Sequence, residues 1–540
     1  MNQLSMKWLV PAMMTFGQVA HVTASNMQEV QKQDKRPNIL FFLADDATYY
    51  HFHANGCPWV ETPNFDRVAK DGIVFDQCYT PNAKSAPSRA AILTGRYSWQ
   101  LRQAGNHVTN FPTDIKVFTD VLREQGYDVA YTGKGWAPGN PGVIDGKPRE
   151  LTGHYYHKHT LKAPTTGISN VDYAANFGDF LVDQGKKDNP WFFWFGSHEP
   201  HRKYQYHSGV EKGNMDPADV DHVPAYWPDN EIVRNDMLDY GYEIEYFDAQ
   251  IGKALKMLEK TGKLHNTIIV ITSDNGMPFP RSKANNYNYS NHMPLAVMWA
   301  DGIKHPGRRI QDYVSFVDLA PTFLDMAEVP HSSEALPFSG QSLRHYLQDD
   351  VKSTEKNARR IIYFGRERDD YGRPKNQGYP IRAIMRDGML YIHNLKPSLY
   401  PAGNPLSGYL DIDGSPTKTL ILQMARGGSN MFYWNLSCAP RPEEEMYDLT
   451  RDIDCMNNLA NVPSLAKTKA ELKALLLKKC EETNDPRLGD DPDIFSRYKF
   501  NKEENWNFYE RIQNGELKEP WKQTKWVNPT DYSTYPDNDL

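Results

Sequence analysis

From residue 36 to about 330 the chain alternates short apolar runs with segments whose apolar residues recur at helical spacing. Residues 38–43 are too few for a helix and too uniformly apolar for a half-exposed strand, which predicts a strand buried on both faces. Thr62-Pro63 opens a helix, a capping residue followed by proline at the first helical position, and Gly72 closes it before the strand pattern of 73–79. Residues 113–125 place apolar side chains at 115, 118, 121 and 122, one helical face that stops at Gly126, and 129–132 reads as the next strand. Two further apolar runs follow at 191–195 and 267–272, the second preceded by an amphipathic helix over 243–260. Strand, helix and strand in repeated order predict an α/β fold whose mostly parallel sheet lies between layers of helices.

Beyond about 360 the alternation ends. Residues 361–364, 382–385 and 389–393 read as strands of an antiparallel sheet, followed by a helix over about 465–482. The pattern divides the chain into a large α/β domain at 36–360, a smaller α+β subdomain at 361–485 and an extension at 486–540 that wraps the surface. At the amino end, Lys7 precedes a moderately apolar run over 8–20, and Val22-Thr23-Ala24 is a small-residue cleavage pattern. Residues 1–24 are therefore expected to be a secretory signal peptide, since the run is short and contains Pro11. No later segment approaches the ~18–20 continuous apolar residues of a membrane span.

Composition narrows the class further. A hydrophobic share of 39% excludes a polytopic membrane protein, while 12% aromatic and 24% charged residues exclude a disordered chain. A net charge of −7 over 540 residues excludes a nucleic-acid binder that works through bulk positive charge. Cys57, Cys78, Cys438, Cys455 and Cys480 are too few for a disulfide scaffold and lack the spacing of a zinc site. In an oxidising compartment a Cys438–Cys455 pair stays open, and at least one thiol has no partner within the chain.

The strand ends carry the candidate chemistry. Asp45-Asp46 follow the first strand, Lys134 follows 129–132, His198 follows 191–195, and Asp274-Asn275 follow 267–272. Ligands of open α/β sheets bind beyond the carboxyl ends of the strands, so these residues are expected on one rim. Asp45, Asp46, Asp274 and Asn275 offer only hard oxygen donors, which favours calcium or magnesium over zinc or copper. Adjacent carboxylates repel one another, and a cation relieves that repulsion. Either pair taken alone also reads as a turn after a strand.

Between the first and second of those ends lies Ser85-Ala86-Pro87-Ser88-Arg89-Ala90-Ala91-Ile92-Leu93-Thr94-Gly95. By composition it is a helix capped by Ser85 with Pro87 in its first turn. It also resembles the sulfatase signature, (Cys or Ser)-x-Pro-Ser-Arg followed by Leu-Thr-Gly, at seven positions within eleven residues. The resemblance implies a sulfatase of the alkaline phosphatase superfamily. Its first signature residue, here Ser85, is oxidised to formylglycine, whose hydrate attacks sulfur and then expels sulfate as the aldehyde re-forms. It further implies one calcium ion held by Asp45, Asp46, Ser85, Asp274 and Asn275, with Arg89, Lys134 and Lys283 around the sulfate and His198 near the leaving group. Serine at position 85 resembles the bacterial serine-type members, which a sulfatase-maturing enzyme converts before export to the periplasm or beyond. An engineered replacement of an original cysteine is the rival reading of that serine.

Ser197-His198-Glu199-Pro200-His201-Arg202, Asp274 to Pro280 as Asp-Asn-Gly-Met-Pro-Phe-Pro, and Tyr379-Pro380-Ile381-Arg382 look most like the sulfamidase (N-sulfoglucosamine sulfohydrolase) branch. That similarity implies a sulfated carbohydrate substrate of the glycosaminoglycan or mucin type. Two departures keep the sugar open between N-sulfoglucosamine and an O-sulfated galactose, galactosamine or glucosamine. Trp136 stands where the family usually carries a second histidine, and Lys283 where sulfamidases usually carry arginine. Trp136 is a candidate either for stacking on a sugar or for packing. His107, His201 and Arg202 are further candidate substrate contacts. Arg366-Glu367-Arg368-Asp369-Asp370 reads as a solvated loop or, alternatively, as a segment that borders the pocket and reads sugar hydroxyls, with Arg368 as its candidate contact. Two other functions remain open: a phosphodiester or phosphonate monoester hydrolase of the same superfamily, and a non-catalytic binder of sulfated glycans if Ser85 is unmodified.

Overall fold

The computed structural model describes residues 35–536 apart from 332, 333, 335 and 349–358, so the expected signal peptide at 1–24 lies outside the described residues. A large sheet contains β1 (Asn38–Ala44), β2 (Ile73–Phe75), β3 (Asp128–Gly133), β4 (His154–Tyr155), β5 (Trp191–Gly196), β6 (Thr267–Ser273), β7 (Leu295–Met298) and β8 (Arg308–Ile310), in the order β8-β2-β7-β6-β1-β5-β3-β4. Only β7 pairs antiparallel to its neighbours, so the sheet is mixed but mostly parallel.

The continuous apolar runs have a direct cause. Ile39, Phe41 and Leu43 of β1 enter one core, and Leu40, Phe42 and Ala44 enter the other. Phe192 and Trp194 of β5 join the first, Trp191, Phe193 and Phe195 the second. Successive residues of a strand point to opposite faces, so a strand buried on both sides has no polar position to spare. One core is covered by α2 (Ser85–Thr94), α3 (Phe118–Glu124) and α6 (Leu319–Met326). The other is covered by α1 (Pro63–Asp71), α4 (Tyr173–Gln184) and α5 (Glu231–Lys260).

Several expected boundaries move. The run 73–79 divides at Asp76-Gln77, where Asp76 turns to pair with Arg309, and Cys78–Tyr79 joins a separate three-stranded sheet. The helix expected over 113–125 begins only at Phe118, after a turn in which the Val117 amide donates to the Asp120 carboxylate at 3.2 Å. The helix expected over 243–260 begins at Glu231. Its first turns were hidden because Asp236 and Asp239 break the apolar pattern although both are buried, one bound by Arg202 and the other by the amides of His207 and Gly209. Thr62 does not cap α1: its hydroxyl accepts from the His53 amide. Asp248 of α5 takes the amides of Asn64 and Phe65 at 3.0 and 2.7 Å.

Strands β9 (Ile361–Arg366), β10 (Ile381–Arg386), β11 (Met389–Asn394) and β12 (Glu444–Asp448) form a separate antiparallel sheet against which α7 (Ala466–Glu482) packs Leu472, Leu476 and Cys480. The segment beyond brings Phe500, Phe508, Ile512, Val527 and Tyr532 onto Tyr371 and Leu410. The five thiols are free and buried, and no Cys438–Cys455 disulfide forms. Cys438 packs with Ala402, Tyr409 and Leu422, whereas Cys455 lies in a different cluster with Tyr79 and Tyr287, so closeness in sequence does not bring them together. No helix among the described residues is long and apolar enough to cross a membrane.

Because Asp248 caps α1 from another helix, Asp248→Ala leaves two amides of that helix end unpaired. It is expected to lower stability by about 2 kcal/mol, with Asp248→Asn recovering part of the loss, as read by guanidinium denaturation.

Candidate active site

The four strands that end in candidate residues are neighbours, in the order β6-β1-β5-β3. Their parallel register brings Asp274-Asn275, Asp45-Asp46, His198 and Lys134 to one rim. Gly133, at φ +69°, lets the chain turn so that the Lys134 amide donates to the Gly196 carbonyl at 2.8 Å; a Cβ there would lie 2.0 Å from that oxygen. Asp46 also adopts the left-handed region, at φ 76°, held by its amide bond to Asp274 Oδ1 at 3.0 Å. Strain of this kind persists where the surroundings over-determine it.

Helix α2 starts at this rim. Lys84, not Ser85, precedes its first turn, and no side chain caps it. The Ser85 hydroxyl instead donates to Asp45 Oδ1 at 3.1 Å and lies 3.5 Å from Asn275 Oδ1, while Lys134 Nζ donates to Ser85 Oγ at 3.2 Å. The Ser88 hydroxyl donates to the Asp274 carbonyl at 2.5 Å, and the Trp136 indole donates to the Ala86 carbonyl at 3.0 Å. Trp136 is buried against Phe111 and does not line the cavity, so it positions the start of α2 by packing.

Oxygens of Asp45, Asp46 and Asp274 lie within 4.8 Å of one another, and all three side chains are buried. The Asn275 amide nitrogen donates to Asp46 Oδ1 at 2.6 Å, which leaves its oxygen toward Ser85. Lys134 bonds both Asp45 oxygens, at 2.7 and 2.5 Å. Lys283 lies between Asp46 at 2.6 Å and Asp413 at 2.7 Å. Arg89, fully buried, gives Nε to Asp274 at 2.8 Å, Nη2 to Asp45 at 3.3 Å and Nη1 to the carbonyls of Lys134 and Gly135. Its guanidinium thus braces the carboxylates from beneath the cavity floor.

Four carboxylates therefore face three cations, leaving one uncompensated negative charge. A divalent cation would turn this into one positive charge, complementary to the single negative charge of a sulfate monoester or sulfamate. The donor set is oxygen throughout and fits a hard cation of the calcium or magnesium kind. The charges shift each other in consistent directions. Burial pushes the Asp45 carboxyl up, but Lys134, His201 and Arg89 outweigh it and hold Asp45 well below the usual range. Asp274 is raised by burial, with Arg89 opposing. Burial disfavours the Lys283 ammonium, yet Asp413 and Asp46 hold it well above its usual value.

A cavity of about 590 Å³ opens over this cluster and is lined by Ser85, Lys134, His198, His201 and Lys283 among others. The His198 amide donates to the Tyr173 hydroxyl at 3.0 Å; burial pulls the imidazole down to about 4, Asp45 opposing and Lys134 assisting. His201 Nε2 stands 3.7 Å from Asp46. Arg202 reaches the cavity edge, but its guanidinium is held bidentate by Asp236 at 2.7 and 2.9 Å and stacked on Tyr204 and Phe279. His107 lines the wall with Nδ1 3.2 Å from Asp370.

Residues 366–370 are not a solvated loop: all five are buried and ion-paired or bonded to carbonyls. Arg368 lies outside the cavity, donating to the Ser496 and Tyr498 carbonyls over the Phe500 ring at 3.8 Å. Asp370, at the end of that segment, does line the cavity, and the sequence pattern missed Asp413, Lys84 and Trp526, which line it too. Asp413 sits in Asp411-Ile412-Asp413-Gly414, which reads as an ordinary turn, and Lys84 had only its place beside Ser85 as a signal.

Comparison with known proteins bears on the family and the fold. The family model described as sulfatase matches residues 37–329. An N-acetylglucosamine-6-O-sulfatase of Bacteroides thetaiotaomicron is 26% identical over 570 residues, covering 88% of this chain and 91% of that one. A human N-sulphoglucosamine sulphohydrolase is 27% identical over 474 residues, covering 83% and 91%. A solved structure in complex with its substrate D-glucosamine-2-N,6-O-disulfate superposes with a TM-score of 0.59 at 22% identity, over 85% of this chain and 99% of that one.

If the carboxylates hold a divalent cation, saturating calcium is expected to raise the melting temperature, since about 2.7 kcal/mol accrues at a hundredfold excess over Kd. In a thermal-shift titration Asp274→Asn is expected to lose most of that rise.

Proposed function

The chain belongs to the sulfatase family, and on that premise we propose that it hydrolyses the sulfate group of a sulfated glucosamine, as N-sulfate or O-sulfate, acting on the end residue of a glycan. The observation that carries the catalytic reading is the placement of Ser85 Oγ, 3.1 Å from Asp45, 3.2 Å from Lys134 and 3.5 Å from Asn275, on the floor of the cavity. The sugar class is supported by the two relatives whose names specify glucosamine sulfates and which align along most of both chains. We further propose that a bacterial maturing enzyme converts Ser85 to formylglycine, and that the signal peptide directs the protein to the periplasm or beyond.

Formylglycine hydrate would supply the hydroxyl that attacks sulfur and the second hydroxyl through which sulfate is released, and calcium would supply a Lewis acid. Asp45, Asp46, Asp274 and Asn275 would hold that ion. The remaining residues do electrostatic work. Lys134 and Lys283, fixed by Asp45 and by the Asp46–Asp413 pair, present ammonium groups to the sulfate oxygens, where negative charge is spread in the transition state. Arg89 keeps the carboxylates together and the backbone turn at Lys134-Gly135 in place. His198, whose imidazolium is disfavoured by burial in the free site, lines the cavity where it would pass a proton to the departing oxygen or nitrogen.

Two tests follow from these roles. The tryptic peptide containing residue 85, taken from the native host, is expected to be lighter by two hydrogens than its unmodified form; a wholly unmodified peptide would defeat the catalytic reading. His198→Ala is expected to slow hydrolysis of glucosamine sulfates by about 10²–10⁴-fold and that of an aryl sulfate with a good leaving group far less. Equal losses on both substrates would remove His198 from the role of proton donor.

A further inference from the structure

One side of the cavity is built by residues far from the signature. Trp526, in the carboxy-terminal extension, lines the same cavity as Ser85, Lys134, His198 and Lys283. Its indole N–H donates to the Leu410 carbonyl at 3.1 Å, and its carbonyl accepts from the Gly414 amide at 2.7 Å. Tyr371 meets it edge-on at 5.6 Å. The ring is thus fixed by two polar anchors and one aromatic contact, yet remains only half-buried.

The anchoring segment also carries chemistry. Between Leu410 and Gly414 lie Asp411, which accepts from the Asp370 amide at 3.1 Å, and Asp413, which holds Lys283 at 2.7 Å. Trp526 packs in one cluster with Val108 and Tyr371, whose chain neighbours His107 and Asp370 form the polar wall, joined at 3.2 Å. A fixed indole beside a carboxylate–imidazole edge is the composition that suits a pyranose ring: the ring's C–H face lies on the aromatic, and its hydroxyls turn to the polar wall.

From this arrangement we infer that Trp526 is a sugar-binding platform, and that the extension completes the active site by setting which ring the sulfate is attached to. The inference rests on the glucosamine reading above and adds the residue that recognises the ring rather than its sulfate. An inorganic sulfate ion occupies only the anion clamp, whereas glucosamine 6-sulfate and glucosamine N-sulfate occupy the clamp and the platform together.

The test is calorimetric titration in the Ser85→Ala background with calcium present, so that no ligand is turned over. Trp526→Ala is expected to weaken both sugar sulfates by about tenfold while inorganic sulfate changes by less than about twofold, and Trp526→Phe to recover most of the sugar affinity. An unchanged melting temperature verifies that the extension stays docked. Loss of affinity in equal measure for sugar and sulfate, or no loss for either, overturns the platform. If the parent protein binds inorganic sulfate but neither sugar, the glucosamine reading falls, and the platform falls with it.

Discussion

The structure depends on holding Asp45, Asp46 and Asp274 together against their mutual repulsion, in a place from which water is largely removed. Three buried carboxylates with oxygens inside 4.8 Å cannot all stay ionised without positive charge. Arg89, Lys134 and Lys283 provide part of it, each through a direct ion pair with one of the three. Arg89 shows this most clearly: four of its bonds go to protein groups, and none of its surface faces the cavity. A site balanced in this way would take a divalent cation and a singly charged anion together, because either one alone leaves a charge uncompensated.

Such a cluster demands a rigid support. Parallel strands buried on both faces supply it, since β1, β5 and β6 have no solvent-facing side along which to shift. Helix α2 is fastened to the same ends by Ser88 on the Asp274 carbonyl and by Trp136 on the Ala86 carbonyl. The start of α2, and Ser85 with it, is therefore held by bonds to backbone carbonyls at the rim. A change at either bond moves Ser85 relative to the carboxylates and not merely its own helix.

What could be read in the sequence follows from this division. Strands packed on two sides leave continuous apolar runs, so 38–43, 191–195 and 267–272 and the residues that follow them were legible. The α2 motif was legible because it names its own chemistry. Legibility failed where burial was polar. Asp236 and Asp239 hid the start of α5, and Arg366 to Asp370 looked solvated because, apart from the local Arg366–Asp369 pair, their partners lie tens to hundreds of residues away. Trp136 was ambiguous for a related reason: an indole suits a ligand as well as a core, and only the carbonyl it finds decides between them.

The same division runs through the cavity itself. The carboxylate cluster, Ser85, Lys134, His198 and Lys283 all lie between 45 and 283, within the span of the family match at 37–329. Asp370, Asp413 and Trp526 reach the cavity from beyond it. They arrive on loops and an extension tied down by long-range bonds, elements that can change without disturbing the sheet. Lys283 stands at the junction, since one carboxylate that holds it belongs to the metal cluster and the other to the distal loop. A substitution that moves the 411–414 turn would thus reach Lys283 through Asp413 as well as Trp526 through Leu410 and Gly414. The two sides of the cavity are therefore coupled through one turn, even though their residues lie in different parts of the chain.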